Sequence, residues 1–245
     1  MVRPPLRAPH HTASIVAMVG GGTSAMRPGE ASLAHEGILL LDEMAEFHPS
    51  VLDGLRQPLE EGVIRVIRAK ASVEFPSRFL LVGTMNPCPC GSAEPNLCTC
   101  GETGRLRYLR RISGPLLDRF DLRLEVHRPS VEELLGGPRA ESSAEVAARV
   151  ERARGVMRER AGVLNADIPA HRLDELAPLT PAATRLLRRE LENNRLTGRG
   201  LHRVRRVART LCDLALQPAD LVDDQAVSVA LSLRIDPFQR VRRAA

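Results

Sequence analysis

Two adjacent carboxylates, Asp42 and Glu43, close the apolar run "GILLLDEM" at residues 37–44, and four cysteines crowd into "CPCGSAEPNLCTC" at residues 88–100. A carboxylate pair at the end of a buried strand stands where ligands bind in open α/β sheets. On those eight residues alone the pair reads equally well as an N-cap at a strand-helix junction. Four thiolates within thirteen residues can close tetrahedrally on one zinc ion, Cys88 and Cys90 from one pair and Cys98 and Cys100 from the other. Such tight Cys-x-Cys pairs are less usual than Cys-x-x-Cys, so free or redox-sensitive thiols are the alternative. Nine arginines between Arg185 and Arg209 face only Glu190 and Glu192. A run of that kind reads first as a solvated helical surface.

The elements that must position these groups follow from pattern. "ILLL" is expected to be a strand buried on both faces, delivering Asp42 and Glu43 to the carboxyl edge of a parallel sheet, where ligands bind in open α/β folds. Val51, Leu52, Leu55 and Leu59 recur at helical spacing, and Gly62 ends that segment. "VIRVIRAKASVEF" alternates as a β-hairpin does, with Ala69 to Ser72 as its tip. "RFLLVGTMNP" predicts a second buried strand ending at Asn86. Residues 88–108 read as irregular, and "LLDRFDLRLEVHRP" as a short helix followed by a third strand. A boundary is expected near Pro129, dividing an α/β core over 1–129 from an all-helical domain over 130–245. There Ser142 and Glu145 form a capping box ahead of a stripe of Val146, Val150, Ala153 and Met157. Thr180-Pro181 opens another helix, and a helix over about 199–216 turns Val204, Ala208, Leu211 and Ala215 one way and Arg199, Arg203 and Arg206 another.

Composition limits the function classes. Aromatic residues make up 2% of the 245, which argues against base stacking as the grip on single strands. The net charge of +5 permits nucleic acid as partner without requiring it. Lys70, the one lysine, is not in a GxxxxGK[ST] loop, and "VGGGTSAMRPGE" reads as a flexible insert rather than a phosphate cradle. No stretch is apolar enough for a membrane span, and the N-terminus lacks a secretory segment, so a cytoplasmic location is expected. In a reducing compartment the cysteines are metal ligands or free thiols rather than disulfides, and Cys212, beside Leu211, reads as a packed core thiol.

"RAPHHTAS", "VGGG", "PGEASLAHEGILLLDEM", "LRQPLEEG", "MNPCPCG", "SGPLLDRFDL" and "HRVRRVARTLCDL" together, in collinear order from Arg3 to about Leu233, resemble the Mg-chelatase-like AAA+ ATPases of the YifB/ComM family. The resemblance implies a partial AAA+ core of the P-loop NTPase type followed by a helical lid. It further implies an N-terminal Lon-protease-like domain and a phosphate loop in the complete family protein, ahead of the part seen here. A separately encoded N-terminal half is therefore a possible partner, the sheet is expected to have an uncovered edge, and the isolated chain is expected not to hydrolyse ATP.

By the same resemblance Asp42 would hold Mg2+ in a Walker B element, Glu43 would orient and deprotonate the attacking water, and Asn86 would be the sensor amide that touches the γ-phosphate. Arg119 would be the finger inserted into a neighbour's site, which implies a homo-hexameric ring. Arg199 would be the second sensor, with Arg203 one turn on as the other candidate. Both would contact ATP. The hairpin would face the ring's pore, with Arg65, Arg68 and Lys70 on the phosphate backbone of DNA, unless it is an ordinary exposed hairpin with an edge guarded by charge. His10 and His11 are assigned to a loop near the ring interface rather than to a metal. The implied work is ATP-driven DNA remodelling, branch migration during transformation or recombination. The alternatives are a magnesium chelatase-type ATPase subunit and a catalytically inert remnant that binds DNA or a partner.

Overall fold

The computed structural model describes residues 3–22, 25–68, 71–92, 98–136, 140–215 and 220–234. They fall into two compact units that divide after Phe120. The first carries the short strands β1 (Leu6–Arg7) and β2 (Ile38–Leu41), with helices α1 (Ile15–Val19) and α2 (Glu30–Leu33) between them. After β2 come helices α3 (Pro49–Gly54) and α4 (Pro58–Glu61), the hairpin β3 (Val63–Arg68) and β4 (Ala71–Pro76), strand β5 (Leu80–Gly83), and helices α5 (Glu102–Leu109) and α6 (Gly114–Leu117).

The sheet has the order β1-β2-β5 and is parallel throughout. Ile38 to Leu41 pair in step with Leu80 to Gly83, so the two strands end side by side. That register is set by burial on one face only. Leu39 and Leu41 are fully buried against Met18, Phe47 and Leu52, whereas Ile38 and Leu40 are half-buried. The expectation of a strand buried on both faces is thus corrected, because Leu6, Leu80 and Val82 stand exposed on the neighbouring strands. Gly83 permits the tight approach of β5 to the chain after β2: a Cβ there would lie 2.8 Å from Met44 Sδ.

Other departures have local causes. The segment expected as one helix over 51–62 is two, α3 and α4, because Pro58 has no N–H to bond the preceding turn. Gly62, at φ 69°, closes α4 in the left-handed conformation. In the hairpin Arg68 pairs with Ala71, so Ala71 and Ser72 belong to β4 rather than to the tip. The glycine-rich stretch is pinned at its base, Gly21 and Arg27 exchanging backbone bonds of 3.0 and 2.9 Å. Helix α5 replaces an expected irregular stretch, since it sinks Tyr108 and Leu109 into the core.

The second unit is helical: α7 (Val131–Gly136), α8 (Ser143–Ala161), α9 (Leu173–Leu176), α10 (Pro181–Glu192), α11 (Gly198–Leu214) and α12 (Asp224–Ser232). The expected capping box is formed, with Ser142 Oγ accepting from Glu145 N–H and the Glu145 carboxylate accepting from Ser142 N–H. Ala153 and Met157 of the α8 stripe are buried, but Val146 and Val150 are exposed. Thr180 caps α10 with Pro181 behind it. The strand expected within 121–129 does not form; Leu122, Leu124 and Val126 are exposed, and only Arg123 bridges to Arg234. Cys212 packs in the core of this unit with Val204, Ala208 and Leu187, where burial raises its thiol pKa. None of the described helices is long and apolar enough to cross a membrane.

Candidate functional site

The matched ends of β2 and β5 bring Asp42, Glu43, Thr84 and Asn86 to one edge of the first unit's sheet. Backbone bonds lock the two ends: Thr84 N–H donates to Leu41 O at 3.0 Å, and Met44 N–H donates to Thr84 O at 2.7 Å. The Thr84 hydroxyl donates to Asp42 Oδ1 at 2.5 Å and accepts from Glu43 N–H at 3.2 Å. Glu43 N–H is also 3.2 Å from Asp42 Oδ1. One hydroxyl, that of Thr84, therefore orients both acidic residues. The sequence carries no signal for it, since a threonine after a strand is ordinary until the pairing of β2 with β5 sets it beside Asp42.

Glu43 adopts a left-handed backbone, φ 52° and ψ 46°, uncommon for a residue with a side chain. The turn throws its carboxylate to solvent, where Oε2 lies 3.6 Å from His11 Nδ1. His11 is itself placed by edge contact with Phe47 and by His10, whose ring centroid is 4.1 Å away. Within this unit the contact of His11 with Glu43 sets the histidine pair beside the acidic strand end.

Asp42 fits a small hard cation. Its carboxylate is exposed, one oxygen takes the Thr84 hydroxyl, and Mg2+ accepts few protein oxygens while retaining waters. Asn86 is exposed three residues past β5. Its backbone is hydrogen-bonded with Tyr108, whose phenol is raised above its usual range by burial, then by the Glu46 charge, against the pull of that bond.

The four cysteines converge. Cys88 Sγ lies 3.2 Å from Cys90 Sγ and 3.6 Å from Cys98 Sγ, and Cys90 Sγ lies 3.7 Å from Cys98 Sγ. With Cys100 all four sulfurs lie within 4.8 Å of one another, and none is in a disulfide. Such a set could hold a metal ion. Their environments differ: burial, then the neighbouring thiols, pushes Cys88 up to about 12, while a backbone bond from Ser92, then the Cys88 thiol, draws Cys90 down to about 6.

The arginines divide. Arg119 belongs to the first unit and is 8% exposed, its guanidinium donating to Arg56 O at 2.8 Å, to Pro115 O at 2.7 Å and to Glu60. Arg65 pairs with Glu61 at 2.5 Å and with Glu74 at 3.4 Å, and both contacts raise its pKa, Glu61 the more. The Arg68 side chain and Lys70 lie outside the described residues.

Arg199 and Arg203 belong to the helical unit. Arg199 is exposed near the start of α11, and Arg203 bonds Asp121 at 2.8 Å. The arginine run is not simply a solvated surface, because Arg205 and Arg209 are buried. Arg205 donates to Asp174 at 2.7 Å and to the carbonyls of Leu173 and Ala177, and Arg209 to Asp213 at 2.8 Å.

Residues 1–134 match the family described as magnesium chelatase, subunit ChlI, and residues 140–234 match its C-terminal counterpart. The competence protein ComM of Haemophilus influenzae is 44% identical over 211 residues, 86% of this chain and 41% of that protein. YifB of Escherichia coli is 41% identical over 234 residues, 94% of this chain and 45% of its own. The magnesium-chelatase subunit ChlI of Anabaena variabilis is 32% identical over 116 residues, 47% of this chain and 28% of its own. The chain spans about half the length of the curated relatives it matches. A parallel sheet with acidic strand ends, helices after it, and these matches place the chain in the magnesium-chelatase-like family of AAA+ ATPases, with YifB and ComM among its relatives.

Proposed function

We propose that this chain supplies the hydrolytic edge and the helical lid of an ATP-driven motor that remodels DNA in the cytoplasm. The observation that carries the reading is the in-step pairing of β2 with β5, which sets Asp42, Glu43, Thr84 and Asn86 at one sheet edge. Bound there, Mg2+ would neutralise phosphate charge and orient the γ-phosphate. Asp42 would hold the ion through its carboxylate, which the Thr84 hydroxyl and Glu43 N–H orient through Oδ1. Glu43, aimed outward by its backbone, accepts the proton of the attacking water, and the Asn86 amide aligns that water without adding charge.

The remaining assignments extend this reading. Arg199 is the second sensor, with Arg203, already bonded to Asp121, the lesser candidate. Arg119 acts as a finger toward a neighbouring copy in a hexameric ring, and to do so it must leave Glu60. Arg65, with Arg68 and Lys70 beyond it, tracks the DNA backbone, giving affinity that falls with salt and little sequence preference. Branched recombination intermediates are the proposed substrate, and a relative named for competence supports no more than a link to DNA uptake. The reacting cofactors are ATP and Mg2+; zinc on the four cysteines would be structural.

The test uses the gene product as its host makes it, purified through a C-terminal tag. ATP turnover that rises on adding a four-way DNA junction, and that Glu43→Gln abolishes while nucleotide still binds, is the expected result. Turnover unchanged by Glu43→Gln would remove Glu43 from the mechanism. Turnover that ignores DNA but responds to a porphyrin and a partner subunit would favour the chelatase-type alternative.

A further inference from the structure

We propose that Cys88, Cys90, Cys98 and Cys100 form a four-thiolate zinc centre that acts as a clasp on Asn86, tying residues 86–92 to residues 98–101. The sulfur separations of 3.2, 3.6 and 3.7 Å are close to the edge of a zinc-thiolate tetrahedron. That edge is about 3.8 Å for metal-sulfur bonds of about 2.3 Å. All four sulfurs lie within 4.8 Å of one another, so small shifts of the thiols bring each within reach of a single ion. A multi-iron cluster would need the thiolates spread around a larger core. Soft thiolates with no oxygen or imidazole ligand among them select zinc over magnesium or calcium.

The clasp function follows from what lies on either side. Cys88 is two residues past Asn86 and is buried, which ties the metal to the protein interior rather than to a free loop. The turn at Gly91, φ 73°, folds back on the site, and a Cβ there would lie 3.9 Å from Asn86 Nδ2. On the far side Cys100 is two residues before α5, which carries buried Tyr108, the residue bonded to the Asn86 backbone. Metal binding would join these two stretches of chain, so that Asn86 is held by the ion two residues along and by the Tyr108 bond to its backbone. The metal site stands on geometry alone; the clasp's relevance to hydrolysis rests on the proposed role of Asn86.

The test uses the full chain and the metal alone. Titration with Co2+ under reducing conditions is expected to saturate at one equivalent, with thiolate-to-metal charge-transfer bands and the intense visible bands of a tetrahedral ion, all lost on adding Zn2+. Cys90→Ser is expected to lose charge-transfer intensity and affinity, whereas Cys212→Ser keeps the full spectrum. Hydrogen exchange in residues 84–92 is expected to quicken when zinc is chelated, while that of residues 181–192 stays constant.

Weak octahedral Co2+ bands with freely titrating thiols would overturn the site. So would an iron-sulfur chromophore in the purified protein. Zinc bound with no change in exchange at residues 84–92 would overturn the clasp. Neither readout involves nucleotide, so an inactive ATPase would leave both conclusions standing.

Discussion

In the sheet unit the carboxylates that could do chemistry, Asp42 and Glu43, stand exposed at the strand ends; in the helical unit Asp213 has no exposed side-chain surface. Asp213 is enclosed by donors. Arg160 bonds both of its oxygens at 2.5 and 2.7 Å, Asn165 reaches it at 2.7 Å, and Arg209 at 2.8 Å. Burial alone would raise that carboxyl, yet the bonds from Arg160, Asn165 and Arg209 outweigh it and hold it below the usual range. Asp42 has a neutral hydroxyl and a backbone N–H, leaving lone pairs for a ligand. Charge that is fully matched inside a fold specifies packing, and charge left part-matched at an edge is available for binding.

Breaking the matched site should have the largest effect. Asp213→Ala leaves Arg160 and Arg209 facing each other without their carboxylate, and the expected loss is about 3–5 kcal/mol in urea denaturation. Asp42→Asn, the counterpart change in the sheet unit, is expected to shift stability by less than about 0.5 kcal/mol. Equal losses would erase the contrast. Acid titration sharpens it further. Because the folded carboxyl of Asp213 is depressed, its contribution is complete above the unfolded value of about 3.9 and is lost as pH falls below that toward the folded one. Urea denaturation followed by circular dichroism should show stability falling as the pH drops from about 5 to about 2 in the native chain and falling less in Asp213→Asn, where only Glu141, Glu145 and Glu175 remain as depressed carboxylates among the described residues of this unit.

Thr84→Val tests the exposed site at intermediate cost. It removes the hydroxyl that joins Asp42 to Glu43 N–H, with an expected cost of about 1 kcal/mol. Mg2+-dependent ATP turnover in the host-made protein is expected to fall by a larger factor than stability implies. Retained turnover would make Thr84 a bystander. Smallest of all, Leu80→Lys on the open sheet face should change stability by less than about 0.5 kcal/mol and reduce self-association in light scattering. A large loss would mean that Leu80 is covered in solution.

What was legible in the sequence is what local chemistry decides. Four apolar residues ahead of Asp42, the capping box of Ser142 and Glu145, and Thr180-Pro181 each announce an element without needing to know its neighbours. Thr84 was not legible, because a threonine after a strand has a role only once parallel pairing places it beside Asp42, forty-two residues away. The alternation at Leu122, Leu124 and Val126 promised a strand that did not form, since a pattern supplies a face but not a pairing edge. Arg205 and Arg209 look like surface charge in a row of arginines. Their burial depends on Asp174, Asp213 and a set of carbonyls that only the tertiary fold assembles.

The left-handed backbone of Glu43 also biases how this position can drift over evolutionary time. If selection for hydrolysis were relaxed in some lineage, the substitutions easiest to accept would be glycine, asparagine or aspartate, which enter that region at little cost. Valine and isoleucine would meet a conformational barrier unrelated to chemistry. A valine-poor, glycine-rich scatter at this site among inactive descendants would thus record the shape of the turn rather than any surviving activity.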